Sequence, residues 1–176
     1  MCQTDCITFI HKIHSAMFDV AISPEISTYE TERNKPKPSL NHSLLQARLI
    51  ARLFARYEGK YNIASELSLD LADWPSVPDL SILPKMQPDF RNDVTTVTEP
   101  PLGVIEIISP SQTLNQLVAK AEAYFEHGVK SCWLVLLPLT NICVFSSPTD
   151  YQIFREHEVL KDTVLGIELP LKEVFA

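Results

Sequence analysis

The chain has 176 residues, 45% of them hydrophobic and 21% charged, proportions that suit one globular domain with a sizeable core and exclude a chain dominated by disorder. With 15 basic against 22 acidic residues the formal net charge is -7, so a broad electrostatic grip on nucleic acid is excluded and any such contact has to come from a local basic patch. The four cysteines, Cys2, Cys6, Cys132 and Cys143, form neither a CxxC pair nor a Cys/His set at zinc-finger spacing, and read as free thiols in a reducing cytosol.

Residues 1–30, broken by Pro24, read as a peripheral N-terminal extension of a single domain. Within them Ile7-Thr8-Phe9-Ile10 is interrupted by His11, Lys12 and His14, too short and too polar for a signal-peptide core. No stretch approaches the roughly 20 apolar residues of a membrane helix, so the expectation is a cytoplasmic protein without a membrane partner. The segment from Glu32 to Ser43 is polar with two prolines and reads as a loop ending at a helix cap. A helix from about Leu44 to Tyr57 follows, with Leu49, Ile50, Leu53, Phe54 and Tyr57 on one face, and Gly59 stops it.

Tyr61 to Leu71 alternates in part and reads as a strand, and Val77 to Leu83 as a second, shorter one. Pro84 to Pro101 carries four prolines and reads as a long excursion, of the kind that is often functional. In "LGVIEIIS", Val104, Ile105, Ile107 and Ile108 point to both sides, which implies a strand in the middle of a sheet. Ser109-Pro110-Ser111 supplies a cap for a helix from about Gln112 to His127, ended by Gly128. "SCWLVLL" and "NICVFSS" read as a hairpin, "YQIFRE" as a further strand, and "PLKEVF" as a short terminal helix or turn. The order predicts a mixed α/β fold, a central sheet with helices packed on it.

Glu106 is the most informative residue, because a carboxylate on a central strand loses its hydration and needs a cation or hydrogen bonds in compensation. An ion pair with a buried base would satisfy it; so would a role as metal ligand or catalytic carboxylate, and the apolar flanks favour function. Two Pro-Asp pairs compete to supply a second carboxylate. Asp79 opens a strand, whereas Asp89 lies in the excursion beside Lys85 and Arg91; rigid, adjacent elements are what a metal site needs, which favours Asp79.

Gln116, Lys120 and Tyr124 form one row on the helix after Glu106, beside the apolar face of Leu114, Val118, Ala121 and Phe125. On residue type alone Lys120 is an ordinary solvated lysine. Arg48, Arg52 and Arg56 form a similar row, either a phosphate-contacting stripe or, more simply, a solvated helix face. Gln46 falls nearer the apolar face and needs a partner. His42 reads as a cap-region residue, and His11, His14, His127 and His157 show no ligand spacing.

Together "NHSLLQARL", "SELSLDLADWPSVPDLSILPK", "PPLGVIEIISPS", the lysine eight residues beyond that last Ser, then Tyr124, Gly128-Val129 and "CWLV" resemble the Uma-two family of bacterial proteins, a restriction-endonuclease-like branch of the PD-(D/E)xK nuclease superfamily. The resemblance covers residues 30–176, and its order and spacing are specific where a lone PD would not be. It implies a restriction-endonuclease-like mixed central sheet flanked by helices, with Asp79 as the motif aspartate, Glu106 as the motif glutamate and Lys120 as the motif lysine. In the wider superfamily the lysine stands two residues after the glutamate; here Ile108 holds that place, and the family is read as having moved the lysine to the following helix.

The activity implied is that of a nuclease hydrolysing phosphodiester bonds in DNA with Mg²⁺ or Mn²⁺, the metal held by Asp79, Glu106 and the carbonyl of Ile107. Glu66 is an additional acidic candidate, with Gln46 and Tyr124 as accessory positions, and a homodimer would suit double-strand cleavage. Two departures stand out: Gln116 occupies a position where the family often has Asp, and the family's "WLVDP" appears as Trp133-Leu134-Val135-Leu136-Leu137-Pro138. With the acidic net charge they support the alternative of a catalytically inactive interaction or DNA-binding module of the same fold.

Overall fold

The first helix owes its start to a serine four positions earlier than expected. Ser39, extended at φ -77° and ψ 167°, accepts a hydrogen bond from the His42 backbone N–H at 3.3 Å and caps α1, Leu40–Tyr57. His42 thereby moves from the cap into the first helical turn. His42, Leu45, Leu49 and Leu53 are the buried residues of this helix; Leu49 and Leu53, with the partly buried Ile50 and Tyr57, keep to the face expected, and only Phe54 of that face is left more than half exposed. The computed structural model describes residues 37–176, and the N-terminal extension with Cys2, Cys6, His11 and His14 lies outside them.

The expected strand Tyr61 to Leu71 is two pieces, β1 (Tyr61–Ser65) and β2 (Leu69–Asp70), broken where Glu66 adopts φ 53°. A two-residue strand not expected from the sequence, β3 (Pro75–Ser76), pairs with β2, and the next expected strand, Val77 to Leu83, is β4 (Leu80–Pro84), which starts three residues later. The proline-rich excursion follows, tied back where Val97 exchanges hydrogen bonds with Ser68 and Asp70 at 2.9 Å each. Then come β5 (Gly103–Ile107), α2 (Leu114–Glu126), β6 (Ser131–Leu136), a 3₁₀ turn at Leu137–Leu139, β7 (Asn141–Phe145) and β8 (Tyr151–Arg155). A hairpin absent from the sequence-based reading, β9 (Val159–Asp162) with β10 (Ile167–Pro170), precedes the terminal helix α3 (Lys172–Phe175).

The main sheet has six strands in the order β1-β4-β5-β6-β7-β8. Only β5 and β6 run parallel, with α2 as their crossover, and the other pairs are antiparallel. All five residues of β5 are buried, as a central strand requires. Alternation along the strands sends Ile105, Ile107, Trp133 and Val135 into one core with Leu45, Leu49 and Leu53 of α1. Val104, Cys132 and Leu134 go into a second core with Leu117, Ala121 and Tyr124 of α2. Leu160, Ile167 and Leu169 of the β9–β10 hairpin complete the first. The fold is a mixed α/β central sheet with helices on both faces, and no described helix is long and apolar enough to cross a membrane.

Candidate active site

The antiparallel register of β4 on β5 pairs Leu80 with Ile105; one step further along, it brings Asp79 level with Glu106. Asp79, 1% exposed, sits at the mouth of β4 after Pro78 and turns its carboxylate onto the neighbouring strand. There Oδ2 accepts a 2.6 Å hydrogen bond from the Ile107 backbone N–H. The same oxygen lies 3.2 Å from His42 Nε2, and both side chains are 1% exposed. One turn further along α1, Gln46 Nε2 donates to the Asp79 carbonyl at 2.9 Å and to Glu66 Oε1 at 3.2 Å. The Glu66 backbone N–H donates to the same carbonyl at 3.2 Å. Glu66 and Gln46 are thus fastened to the backbone side of Asp79.

Glu106 is 2% exposed and faces α2. Its Oε1 is 2.7 Å from Lys120 Nζ and accepts a 2.7 Å hydrogen bond from the Tyr124 hydroxyl. Lys120 and Tyr124 stand at i and i+4, so one helix face delivers both groups to one carboxylate oxygen. An ammonium and a phenol are the compensation that a buried carboxylate requires. Lys120 keeps 26% of its side chain exposed, so the charge pair opens to solvent from the helix side. The Tyr124 oxygen is also 2.7 Å from Ser76 Oγ, which ties β3 into the same network. Burial first, and then the charge of Glu106, raise the Tyr124 hydroxyl far above its ordinary range. The same two causes raise the Cys132 thiol.

α2 is aimed at Glu106 by its own start. Thr113 Oγ1 accepts from the Gln116 N–H at 3.3 Å while Gln116 Oε1 accepts from the Thr113 N–H at 2.8 Å, a reciprocal capping box. Gln116, where an Asp is often found, therefore serves the helix terminus. Asp89, the competing Pro-Asp carboxylate, is exposed in the excursion and accepts from the Arg91 N–H at 3.0 Å and from Asn92 Nδ2 at 2.8 Å. These bonds, the Asn92 one foremost, lower its pKa.

The arginine row lies on an exposed helix face, as the simpler reading expects, and each member also reaches the terminal helix. Arg48 Nη1 donates to the Val174 carbonyl at 3.3 Å, Arg52 Nε to the Glu173 carbonyl at 3.3 Å, and Arg56 Nη2 to Glu173 Oε1 at 2.7 Å. The row straps α3 to α1. Beside its first member lies a cavity of about 610 Å³, bounded by Ser39, Leu44 and Arg48 on α1, by Ser109 and Gln112 after β5, and by Phe175. Ile108, Ser109 and Pro110, which follow β5, form part of its wall.

Of the candidates from the sequence, Glu106, Lys120 and Tyr124 meet between β5 and α2, while Asp79 is set against the Ile107 N–H and His42 and Gln46 of α1. Sequence reasoning missed His42 and Ser76. The one signal for His42 was its place a helical turn before Gln46 on the same row; its contact with Asp79 is made across the fold. Among the described residues no group of three or more His, Cys, Asp and Glu is arranged to hold a metal ion. By residue type, Asp79, Glu106 and the Ile107 carbonyl would offer only oxygen donors, the chemistry that suits a hard divalent cation keeping several waters.

A search of curated proteins gave no match. Among solved structures, the "crystal structure of a putative nuclease belonging to DUF820 from Anabaena variabilis ATCC 29413" is similar with a TM-score of 0.69 at 19% identity, over 80% of this chain and 83% of that one. That likeness shows a shared fold, the mixed central sheet with helices on both faces. The family model described as "Uma2: Putative restriction endonuclease" matches residues 27–172, nearly the whole chain, and the protein belongs to that family.

Proposed function

We propose that the protein hydrolyses phosphodiester bonds in nucleic acid, DNA in the first place, with Mg²⁺ or Mn²⁺ bound at Asp79 and Glu106. The single observation that carries this reading is the fully buried Glu106 on the central strand with the Lys120 ammonium 2.7 Å from its Oε1, one residue from the Ile107 amide that holds Asp79. The family and the nuclease fold support it, and a lysine that reaches the motif glutamate from the following helix is what a relocated PD-(D/E)xK lysine has to do.

Asp79 and Glu106, with the Ile107 carbonyl, would hold the cation. When bound, such an ion lowers the pKa of a water and offsets charge on the scissile phosphate. The chain's own residues do the rest. The Ile107 N–H fixes the Asp79 carboxylate on the sheet. Tyr124 holds Glu106 in one rotamer from the buried side, so that a rigid central strand, rather than a loop, sets the spacing of the two acids. Lys120, part exposed at the same carboxylate, presents a cation that orients the attacking water or stabilises negative charge developing on the phosphate.

Metal-dependent nicking of supercoiled plasmid by wild type and by Glu106→Gln tests the reading. We expect cleavage with Mg²⁺ or Mn²⁺ by wild type and its loss in the variant; cleavage at equal rates by the two proteins would refute the assignment. No cleavage by either, with DNA binding retained, would select the non-catalytic module, the reading favoured by the use of Gln116 in the capping box and by the net charge of -7.

A further inference from the structure

We propose that His42 is a positioning residue for Asp79, turning its carboxylate so that Oδ1 is the oxygen offered to the cation; this rests on the metal reading of Asp79 given above. Oδ2 carries two contacts at once, the Ile107 N–H at 2.6 Å and His42 Nε2 at 3.2 Å. A carboxylate held through one oxygen by donors from two elements cannot rotate about its Cβ–Cγ bond without losing one of them. Ligating carboxylates are commonly oriented in this way by hydrogen-bonded partners behind them, and losing such a partner costs roughly 10–100-fold in metal affinity.

The imidazole has no other visible task. It is 1% exposed, and its Nδ1 is buried without a hydrogen-bond partner among the described residues, an arrangement that a purely structural core position would avoid with an apolar side chain. The Nε2 contact is therefore the reason for a histidine at this place, and a carboxylate acceptor requires the proton on Nε2. The same helix grips the residue a second time, one turn on, where Gln46 Nε2 donates to the Asp79 carbonyl at 2.9 Å. α1 thus fixes both the backbone and the side chain of Asp79, with His42 and Gln46 at i and i+4. The extra turn of helix that Ser39 caps is what brings His42 onto this row.

The test is a Mn²⁺ titration of the full chain, read by the electron paramagnetic resonance signal of free Mn²⁺, with wild type, His42→Met, His42→Gln and Asp79→Asn. Met fills the space without a donor, whereas the Gln amide reaches as far as Nε2 and can donate. We expect Mn²⁺ affinity to fall roughly 10–100-fold in His42→Met and to be largely restored in His42→Gln, with metal-free melting temperatures of the two variants alike. Should the Met variant not fold, His42→Asn, whose amide is too short to reach Oδ2, takes its place. Wild-type Mn²⁺ affinity in the folded His42→Met or His42→Asn protein, or a Gln variant as weak as Met, would overturn the proposal. If Asp79→Asn loses Mn²⁺ while His42→Met retains it, the role of His42 alone fails. If Asp79→Asn also binds as wild type, the metal reading of Asp79 fails and the role of His42 with it.

Discussion

At the scale of single residues the site is a set of charges made tolerable by their neighbours. Glu106 is buried on both sides, and Lys120 and Tyr124 share its Oε1 at 2.7 Å each. Replacing Lys120 by Met removes the ammonium and keeps the aliphatic stem, so the Tyr124 hydroxyl still satisfies the carboxylate and the chain should fold. We expect metal-dependent cleavage to fall by about 10²–10⁴-fold, the range for losing a positioned acid, base or charge-stabilising group, while melting shows a single cooperative transition. A variant that cleaves at the wild-type rate would exclude Lys120 from the chemistry. Glu106 was legible from the sequence for a physical reason, since an ionised group between apolar neighbours on a central strand demands a partner. Lys120 was legible only through the resemblance, because nothing in an amphipathic helix distinguishes a paired lysine from a solvated one. His42 carried only the faint signal of standing one turn before Gln46: its contact depends on Ser39 rather than Ser43 being the cap, a choice between two capping residues that local sequence leaves open.

At the scale of elements, the long periodic segments were legible and the short ones were not. α1, α2, β5 and the β6–β7 hairpin follow from apolar periodicity. Breaks at Glu66, Ala72 and Asp73 do not, because they adopt φ of 53°, 52° and 65° without a glycine to announce it. The β9–β10 hairpin escaped notice because its strands are four residues each and mix Lys161, Asp162 and Glu168 with the apolar positions. Asp162 is buried nonetheless, accepting from Ser131 Oγ at 2.6 Å, Trp133 Nε1 at 2.8 Å and the Leu165 N–H at 2.9 Å. This hairpin sits so close to the start of β5 that a Cβ on Gly103 would meet Leu165 Cδ1 at 2.8 Å and the Ser131 carbonyl at 3.3 Å. Leu165 can shift; the β6 backbone cannot do so cheaply. Gly103→Ala should therefore destabilise the protein by about 1–3 kcal/mol, the usual cost of overpacking a well-filled core. Urea unfolding measures it as a lower midpoint at unchanged slope, and an unchanged midpoint would mean that the hairpin is loosely seated.

At the scale of the whole molecule, two cores on opposite faces of one sheet converge on the carboxyl end of β5. The α1 side holds Asp79, and the α2 side holds Glu106. The α2 side also buries protons that the unfolded chain releases. Burial, then the Glu106 charge, hold the Cys132 thiol well above its ordinary 9.0 and the Tyr124 hydroxyl far above its ordinary 10.0. For such groups the unfolded state loses its proton first, so above their ordinary values it binds fewer protons than the folded state and stability falls as pH rises. The stabilisation is fully present below about pH 9 and is lost progressively above it, first through Cys132 and then through Tyr124, at up to about 1.4 kcal/mol per pH unit for each proton. Cys143, also buried, adds to the thiol part in the same direction. Melting temperatures taken from pH 8 to 11 should decline with a slope that steepens near pH 10. Tyr124→Phe should abolish the steepening while leaving the earlier, thiol-dependent decline in place, and Cys132→Ala should shrink the earlier decline to the part that Cys143 contributes while leaving the steepening. A melting temperature that stays level through pH 11 in wild type would mean that the network around Glu106 opens to solvent at little cost, and that the rigid placement of Glu106 by Tyr124 does not hold in solution.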